Sequence, residues 1–123
     1  TYRPLGAILS IMPWNFPMWQ VIRMAVPTML AGNSVLLKHA PNCFGSGNLC
    51  AQLVGDLEGV PANLFQALIV DTPAVKFILE DPIVQGVALT GSERAGRAVA
   101  ALAGSQLKKA VVELGGSDAY LVL

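Results

Sequence analysis

Charge is what this sequence has least of. Its 123 residues carry eight Lys/Arg, eight Asp/Glu and one His, so the net charge is zero and charged residues make up 13% of the chain. An ordinary soluble domain has roughly 25%. A neutral chain offers no basic surface, which excludes nucleic acid and anionic membranes as electrostatic partners. With 54% hydrophobic residues, disorder is excluded as well. Uninterrupted apolar runs are also missing. Residues 4–22 and 24–37 hold no charged side chain, but Pro4, Pro13, Asn15 and Pro17 break the first, and Pro27, Gly32 and Asn33 the second. Neither stretch reads as a membrane span of ~20 apolar residues, and no signal peptide is visible. There are only two cysteines, Cys43 and Cys50. On one helix their Cα atoms stand ~10.5 Å apart at ~1.5 Å per residue, beyond disulfide reach. A reduced, cytoplasmic setting is the expectation, and no metal site is expected. So few charges on so small a chain predict apolar surface that something else covers. Thr1-Tyr2-Arg3 supplies no initiator Met and Leu123 lies in an apolar run, so a segment of a longer protein is expected.

What is present is a rhythm. Runs rich in Val, Ile and Leu predict strands at Leu5–Ile11, Ser34–Lys38, Asn63–Leu68, Gln85–Thr90, Lys109–Leu114 and Tyr120–Leu123. Helical patterns at Trp19–Leu30, Gly47–Asp56, Ala74–Leu79 and Arg94–Ala103 separate the first five. Continuous apolar strands such as Val35-Leu36-Leu37 suit burial on both faces, and right-handed crossovers put helices on both sides of a parallel sheet. The predicted class is doubly wound α/β. Only Gly115-Gly116-Ser117-Asp118 lies between the last two predicted strands, too little for a parallel crossover. The chain must turn back or leave the layer there.

Open α/β sheets bind ligands at the carboxyl ends of their strands. Standard phosphate signatures are absent there. Gly91 and Gly96 have P-loop spacing, but Arg97 and Ala98 stand where Lys and Ser/Thr are required. Gly45-Ser46-Gly47 opens like a dinucleotide fingerprint, yet Cys50 occupies its third glycine position. These glycines serve either that purpose or close packing and helix entry. Four features do fall at predicted strand ends: Pro13-Trp14-Asn15-Phe16-Pro17, Lys38, Thr90-Gly91-Ser92 and Glu113-Leu114-Gly115-Gly116.

In their order and spacing these four motifs resemble the aldehyde dehydrogenase superfamily, across essentially the whole chain. The resemblance implies the central part of its Rossmann-like NAD(P)-binding domain, with residues 1–114 belonging to that domain and 115–123 starting the connection to a catalytic domain. It also implies oxidation of an aldehyde to the acid. In that family a Cys thiolate attacks the carbonyl, hydride passes to nicotinamide, and a thioester is hydrolysed. Asn15 matches the amide that stabilises the oxyanion; the plainer alternative is that it closes a Pro-rich turn. Glu113 matches the general base, in a strand whose apolar setting would favour the neutral carboxyl; the alternative is a solvent-facing strand-end Glu. The family's nucleophilic Cys lies downstream of the Glu-Leu-Gly-Gly motif. Neither Cys43 nor Cys50 matches it, so this segment alone is expected to be inactive.

For the cofactor, NAD or NADP, the resemblance implies that Lys38 reaches the adenosine ribose. Gly91 and Ser92 would offer donors to the pyrophosphate, while Trp14 and Leu114 line the nicotinamide side. Many members have Glu where this chain has Pro41, so exclusion of NADP is expected to relax. His39 either adds positive charge near that phosphate or is a partly exposed strand-end His. Arg23, about two helical turns after Asn15, matches an Arg that binds the distal carboxylate in succinate semialdehyde dehydrogenases, and the run Leu36-Leu37-Lys38-His39-Ala40-Pro41 is similar to their bacterial members. The alternative for Arg23 is a surface ion pair. The family forms homodimers or homotetramers, and the same is expected of the parent. A second class of reading remains: a non-catalytic nucleotide-binding or scaffold module.

Overall fold

The computed structural model describes residues 1–122. It runs β1 (Ala7–Met12), α1 (Pro17–Leu30), β2 (Ser34–His39), a short 3-10 turn (Pro41–Cys43), α2 (Phe44–Gly55), β3 (Phe65–Ala67), α3 (Ala74–Glu80), β4 (Val84–Thr90), α4 (Glu93–Ser105) and β5 (Lys109–Glu113). Every strand pair is parallel, in the order β3-β2-β1-β4-β5.

Apolar residues on alternate sides of the strands build two cores. On one face Met12, Val35, Leu37 and Phe65 meet Val21 and Ala25 of α1 and Cys50 of α2. On the other, Leu9, Val84, Val87 and Leu89 meet Val75 and Leu79 of α3 and Val99 and Ala103 of α4. Helices therefore cover both faces, as the doubly wound reading predicts. Among the described residues no helix is long and apolar enough to cross a membrane.

Two of the motif glycines, Gly47 and Gly96, serve packing, whereas a Cβ on Gly45 would meet nothing within 4 Å. A Cβ on Gly47 would come within 3.3 Å of Leu37 Cδ2, so its absence lets α2 lie close on β2. A Cβ on Gly96 would overlap the Leu114 side chain. Helix α2 begins at Phe44, three residues before the predicted start at Gly47, and so runs through Gly45 and Gly47.

Among the described residues the sixth strand expected at Tyr120–Leu123 is not seen at 120–122. Residues 114–122 have no regular structure and are exposed, and Leu123 lies outside the described residues. Lacking a crossover, the chain leaves the layer after β5. That strand is exposed along its whole length, with Val111 at 65%, so the sheet ends in an uncovered apolar edge.

One buried side chain fixes the start of the sheet. Asn33, between α1 and β2, accepts the N–H groups of Leu5 and Gly6 on Oδ1 at 2.7 and 3.1 Å, and its Nδ2 donates to the Thr28 carbonyl at 3.2 Å. It thus ties the entry to β1 to the last turn of α1. Asn33→Ala should destabilise the fold by about 1–3 kcal/mol, because two backbone donors lose their acceptor. Asn33→Asp keeps the acceptor and should lose less. Urea denaturation of both variants checks the ranking.

Candidate active site

The strand order reverses between β1 and β4, and crevices in such sheets open at that point. Three of the four sequence motifs meet there. One cleft at the carboxyl edge is lined by Pro13, Trp14 and Asn15 after β1, Thr90, Gly91 and Ser92 after β4, and Glu113, Leu114 and Gly115 after β5, with Gln20 of α1. A narrower cavity adjoins it, lined by Met12, Gln20, Arg23, Met24, Thr90 and Glu113 among others. Gln20, Thr90 and Glu113 line both. Asn15 and Arg23 therefore flank Glu113, Arg23 from α1 and Asn15 from the loop before it rather than from the same helix.

Helix α1 can present Gln20, Arg23 and Met24 together because residues three and four apart share a face. It starts at Pro17, whose fixed φ suits the first helical position. Its other stripe, Val21 and Ala25, is buried. Gln20 was not singled out in the sequence; its position three residues before Arg23 is the signal for it.

Arg23 and Glu113 meet directly. Nη1 donates to Oε2 at 2.6 Å and Nη2 to Oε1 at 2.5 Å, a fork on a carboxylate, with the side chains 47% and 46% exposed. The apolar setting expected for Glu113 is thus absent: β5 is an exposed edge strand and the carboxylate rests on a guanidinium. Exposed ion pairs of this kind contribute ~0–1 kcal/mol. It is a contact that a competing carboxylate can displace.

Lys38 points to the opposite face, at the carboxyl end of β2. With Ile11, Thr72, Val75, Phe77 and Ala95 it lines a slot of about 500 Å³ between α3 and α4. Lys38 is only 6% exposed, and burial lowers its pKa from the ordinary 10.5, partly opposed by Asp71. Pro41 lies beyond it, exposed, at the start of the 3-10 turn.

The turn after β4 differs from expectation in one respect. The Gly91 N–H donates to the Glu113 carbonyl at 3.0 Å, so it continues the β4–β5 ladder and is not free for a ligand. Ser92 caps α4, its Oγ accepting the Ala95 N–H at 3.3 Å. The unpaired amides that any helix start leaves are then those of Glu93 and Arg94.

His39 corrects both sequence readings. It is 1% exposed and faces no phosphate site: Nδ1 lies 3.2 Å from the Met12 carbonyl and 2.9 Å from the Ala40 N–H, and Nε2 lies 3.0 Å from the Pro17 carbonyl. Both cysteines are free and buried. Cys50 packs against Met18, and burial raises its thiol pKa, which makes it a poor nucleophile. Cys43 sits beneath the Asn15 loop, with Sγ 4.0 Å from the Trp14 carbonyl, a proximity that sequence order concealed.

Known proteins share this arrangement. The profile of the aldehyde dehydrogenase family matches residues 1–123. Succinate semialdehyde dehydrogenase (NAD(P)+) of Escherichia coli is 54% identical over 122 residues, covering 99% of this chain and 26% of that protein. Succinate-semialdehyde dehydrogenase (NADP(+)) of Mycobacterium avium is 49% identical, with the same coverage. The crystal structure of succinic semialdehyde dehydrogenase from Streptococcus pyogenes in complex with NADP+ superposes with a TM-score of 0.92 at 40% identity, over 98% of this chain and 26% of that one. The chain thus spans about a quarter of the length of these relatives, 26%. With its profile matched from end to end and its motifs gathered at one sheet edge, the chain belongs to the aldehyde dehydrogenase family.

Proposed function

We propose that this chain is the cofactor-binding part, residues 1–114 with a connection at 115–123, of a longer NAD(P)-dependent dehydrogenase that oxidises succinate semialdehyde to the acid. The observation that carries the reading is the convergence of Asn15, Glu113 and Arg23 on one crevice at the strand reversal. The names of the relatives above support the substrate and cofactor class.

The slot between α3 and α4 suits an adenosine: apolar walls for a flat ring, a volume of about 500 Å³ within the usual range for ligand sites, and one buried ammonium for hydroxyl groups. Lys38 would hold the ribose, the first-turn amides of α4 and the Ser92 hydroxyl the pyrophosphate, and Trp14 and Leu114 the nicotinamide side. When bound, NAD(P) supplies the two-electron acceptor. Neither cysteine of this chain matches the family's nucleophile, and the chain's own residues act around the attack that such a thiol would make. Asn15 donates its amide to the developing oxyanion, a neutral group whose loss in other enzymes costs ~10²–10³ in rate. Glu113 takes a proton from the water that attacks the acyl intermediate. Arg23 receives the distal carboxylate of the substrate with the same fork that now holds Glu113. Substrate binding and release of the base are then one exchange.

That exchange sets a magnitude. A charge-assisted hydrogen bond contributes ~1.5–3 kcal/mol, and breaking the exposed Arg23–Glu113 pair returns up to ~1 kcal/mol. About 0.5–2 kcal/mol remains, a 2- to 30-fold effect. In the full-length enzyme Arg23→Ala should therefore lower kcat/KM for succinate semialdehyde by that factor and hardly change it for an uncharged aldehyde of similar length. Arg23→Lys should recover only part, since an ammonium has no fork. Parallel losses on both aldehydes would remove the semialdehyde assignment.

Cofactor choice gives a second test. Pro41 offers no carboxylate against a 2′-phosphate, so the enzyme should accept both NAD and NADP. Pro41→Glu should penalise NADP more than NAD by charge repulsion. Equal changes in the two KM values would place the 2′-phosphate elsewhere.

Lys38 ties binding to stability. Its pKa is lowered in the fold, so between that value and 10.5 the unfolded chain holds the extra proton and stability rises with pH. Below the lowered value the full cost of a buried ammonium is present. Lys38→Met should hence raise the urea midpoint at neutral pH, flatten its rise toward pH 10.5, and weaken nucleotide binding. A variant destabilised at neutral pH would show that Lys38 has a structural partner.

A further inference from the structure

The loop that carries Asn15 is poorly held by its own side chains. Trp14 is 65% and Phe16 60% exposed, and Asn15 is exposed. Its two stems, however, converge on one buried ring. Nδ1 of His39 lies 3.2 Å from the Met12 carbonyl, and the Ala40 N–H is shared between that carbonyl at 3.1 Å and Nδ1 at 2.9 Å; assigning Nδ1 as the acceptor of this shorter contact joins the ring to Met12 through the shared N–H. The ring proton then belongs on Nε2, which donates to the Pro17 carbonyl at 3.0 Å. Met12 is the last residue of β1 and Pro17 the first of α1, so the imidazole closes the base of the Pro13–Phe16 loop. Sheet register sets it there, because Met12 pairs with His39 across β1 and β2. Helix α2 backs it: a Cβ on Gly47 would stand 3.6 Å from His39 Cβ and 3.7 Å from Cδ2.

We infer that His39 is a positioning residue for the reaction, acting through Asn15 by fixing the distance and angle between the loop's two stems. This rests on the reading that Asn15 stabilises the oxyanion. A displacement of about 1 Å in such a group lowers rate by up to ~10², while the groups proposed for the adenosine and pyrophosphate, Lys38 and the start of α4, lie outside this loop.

The test uses three replacements in the full-length enzyme. In His39→Gln the amide nitrogen reaches the place of Nε2 and can donate to Pro17; in His39→Asn the shorter amide reaches only the place of Nδ1; His39→Leu makes neither contact. Expected is a kcat loss of about 10- to 100-fold for Leu and Asn, with most recovered in Gln and the dissociation constant of ADP, which lacks the nicotinamide, unchanged in all. Amide hydrogen exchange at Trp14–Phe16 should quicken in Asn and Leu and return in Gln, a readout independent of turnover. In an Asn15→Ala background the His39 replacements should cost little more, since they act through the missing amide. Should the Leu variant fail to fold, the Gln–Asn comparison decides. Equal kcat in Gln and Asn, or losses additive with Asn15→Ala, would overturn the inference. An Asn15→Ala enzyme with undiminished kcat would instead overturn the oxyanion reading on which it stands.

Discussion

A parallel sheet can place chemistry only where its loops emerge, and here the strand order forces them apart at one point. Strand β1 lies at the centre, with β2 on one side and β4 on the other. The crossover through α1 leaves toward one face and the crossovers through α3 and α4 return on the other. Between them the loops after β1 and β4 diverge and leave a crevice. Asn15 and the Gly91–Ser92 turn depend on this reversal, because each follows the end of a strand that borders it, and Glu113 ends the edge strand beside β4. Without the two separate cores that pin β1 from both sides, these loops would have no common frame.

The groups gathered there are in mutual conflict, and the conflicts are where function and stability part. Glu113 and Arg23 satisfy each other in the resting chain, so neither is free for the role proposed for it until a third charge enters. Lys38 is buried at the edge of an apolar slot, a position that disfavours its own charge. Asn15 stands exposed on a loop whose aromatic neighbours contribute little burial. Each arrangement is poor by the standard of a folded core and suited to a ligand that supplies the missing contact.

The architecture was legible in the sequence because it rests on local signals. Apolar strands and intervening helical patterns can be read a few residues at a time, and all five strands of the sheet fall within the predicted runs to within two residues or so at most ends. What could not be read depends on pairing across the chain. The Arg23–Glu113 fork joins residues 90 apart. His39 looked like a strand-end residue free to face solvent or a phosphate; only the β1–β2 register brings it beneath the loop. Gln20 carried no motif at all. The sixth strand is not seen at 120–122 for a related reason: Tyr120–Val122 has strand-like residues but, among the described residues, no neighbouring strand to pair with, and β-propensity is fulfilled only by packing.

The glycines sort the remaining motifs by purpose. At Gly47, Gly86 and Gly96 a Cβ would crowd Leu37, the Lys109 carbonyl and Leu114 respectively, so the packing of this chain itself explains them. At Gly115 a Cβ would meet nothing within 4 Å, and at Gly91 only Leu89 Cδ2 at 3.7 Å, an ordinary contact. Neither has a backbone conformation that demands glycine. Both line the cleft between Asn15 and Glu113. The dinucleotide proposed above would cross from the α3–α4 slot to the opposite face at this carboxyl edge, where Gly91 and Gly115 put no Cβ in its way.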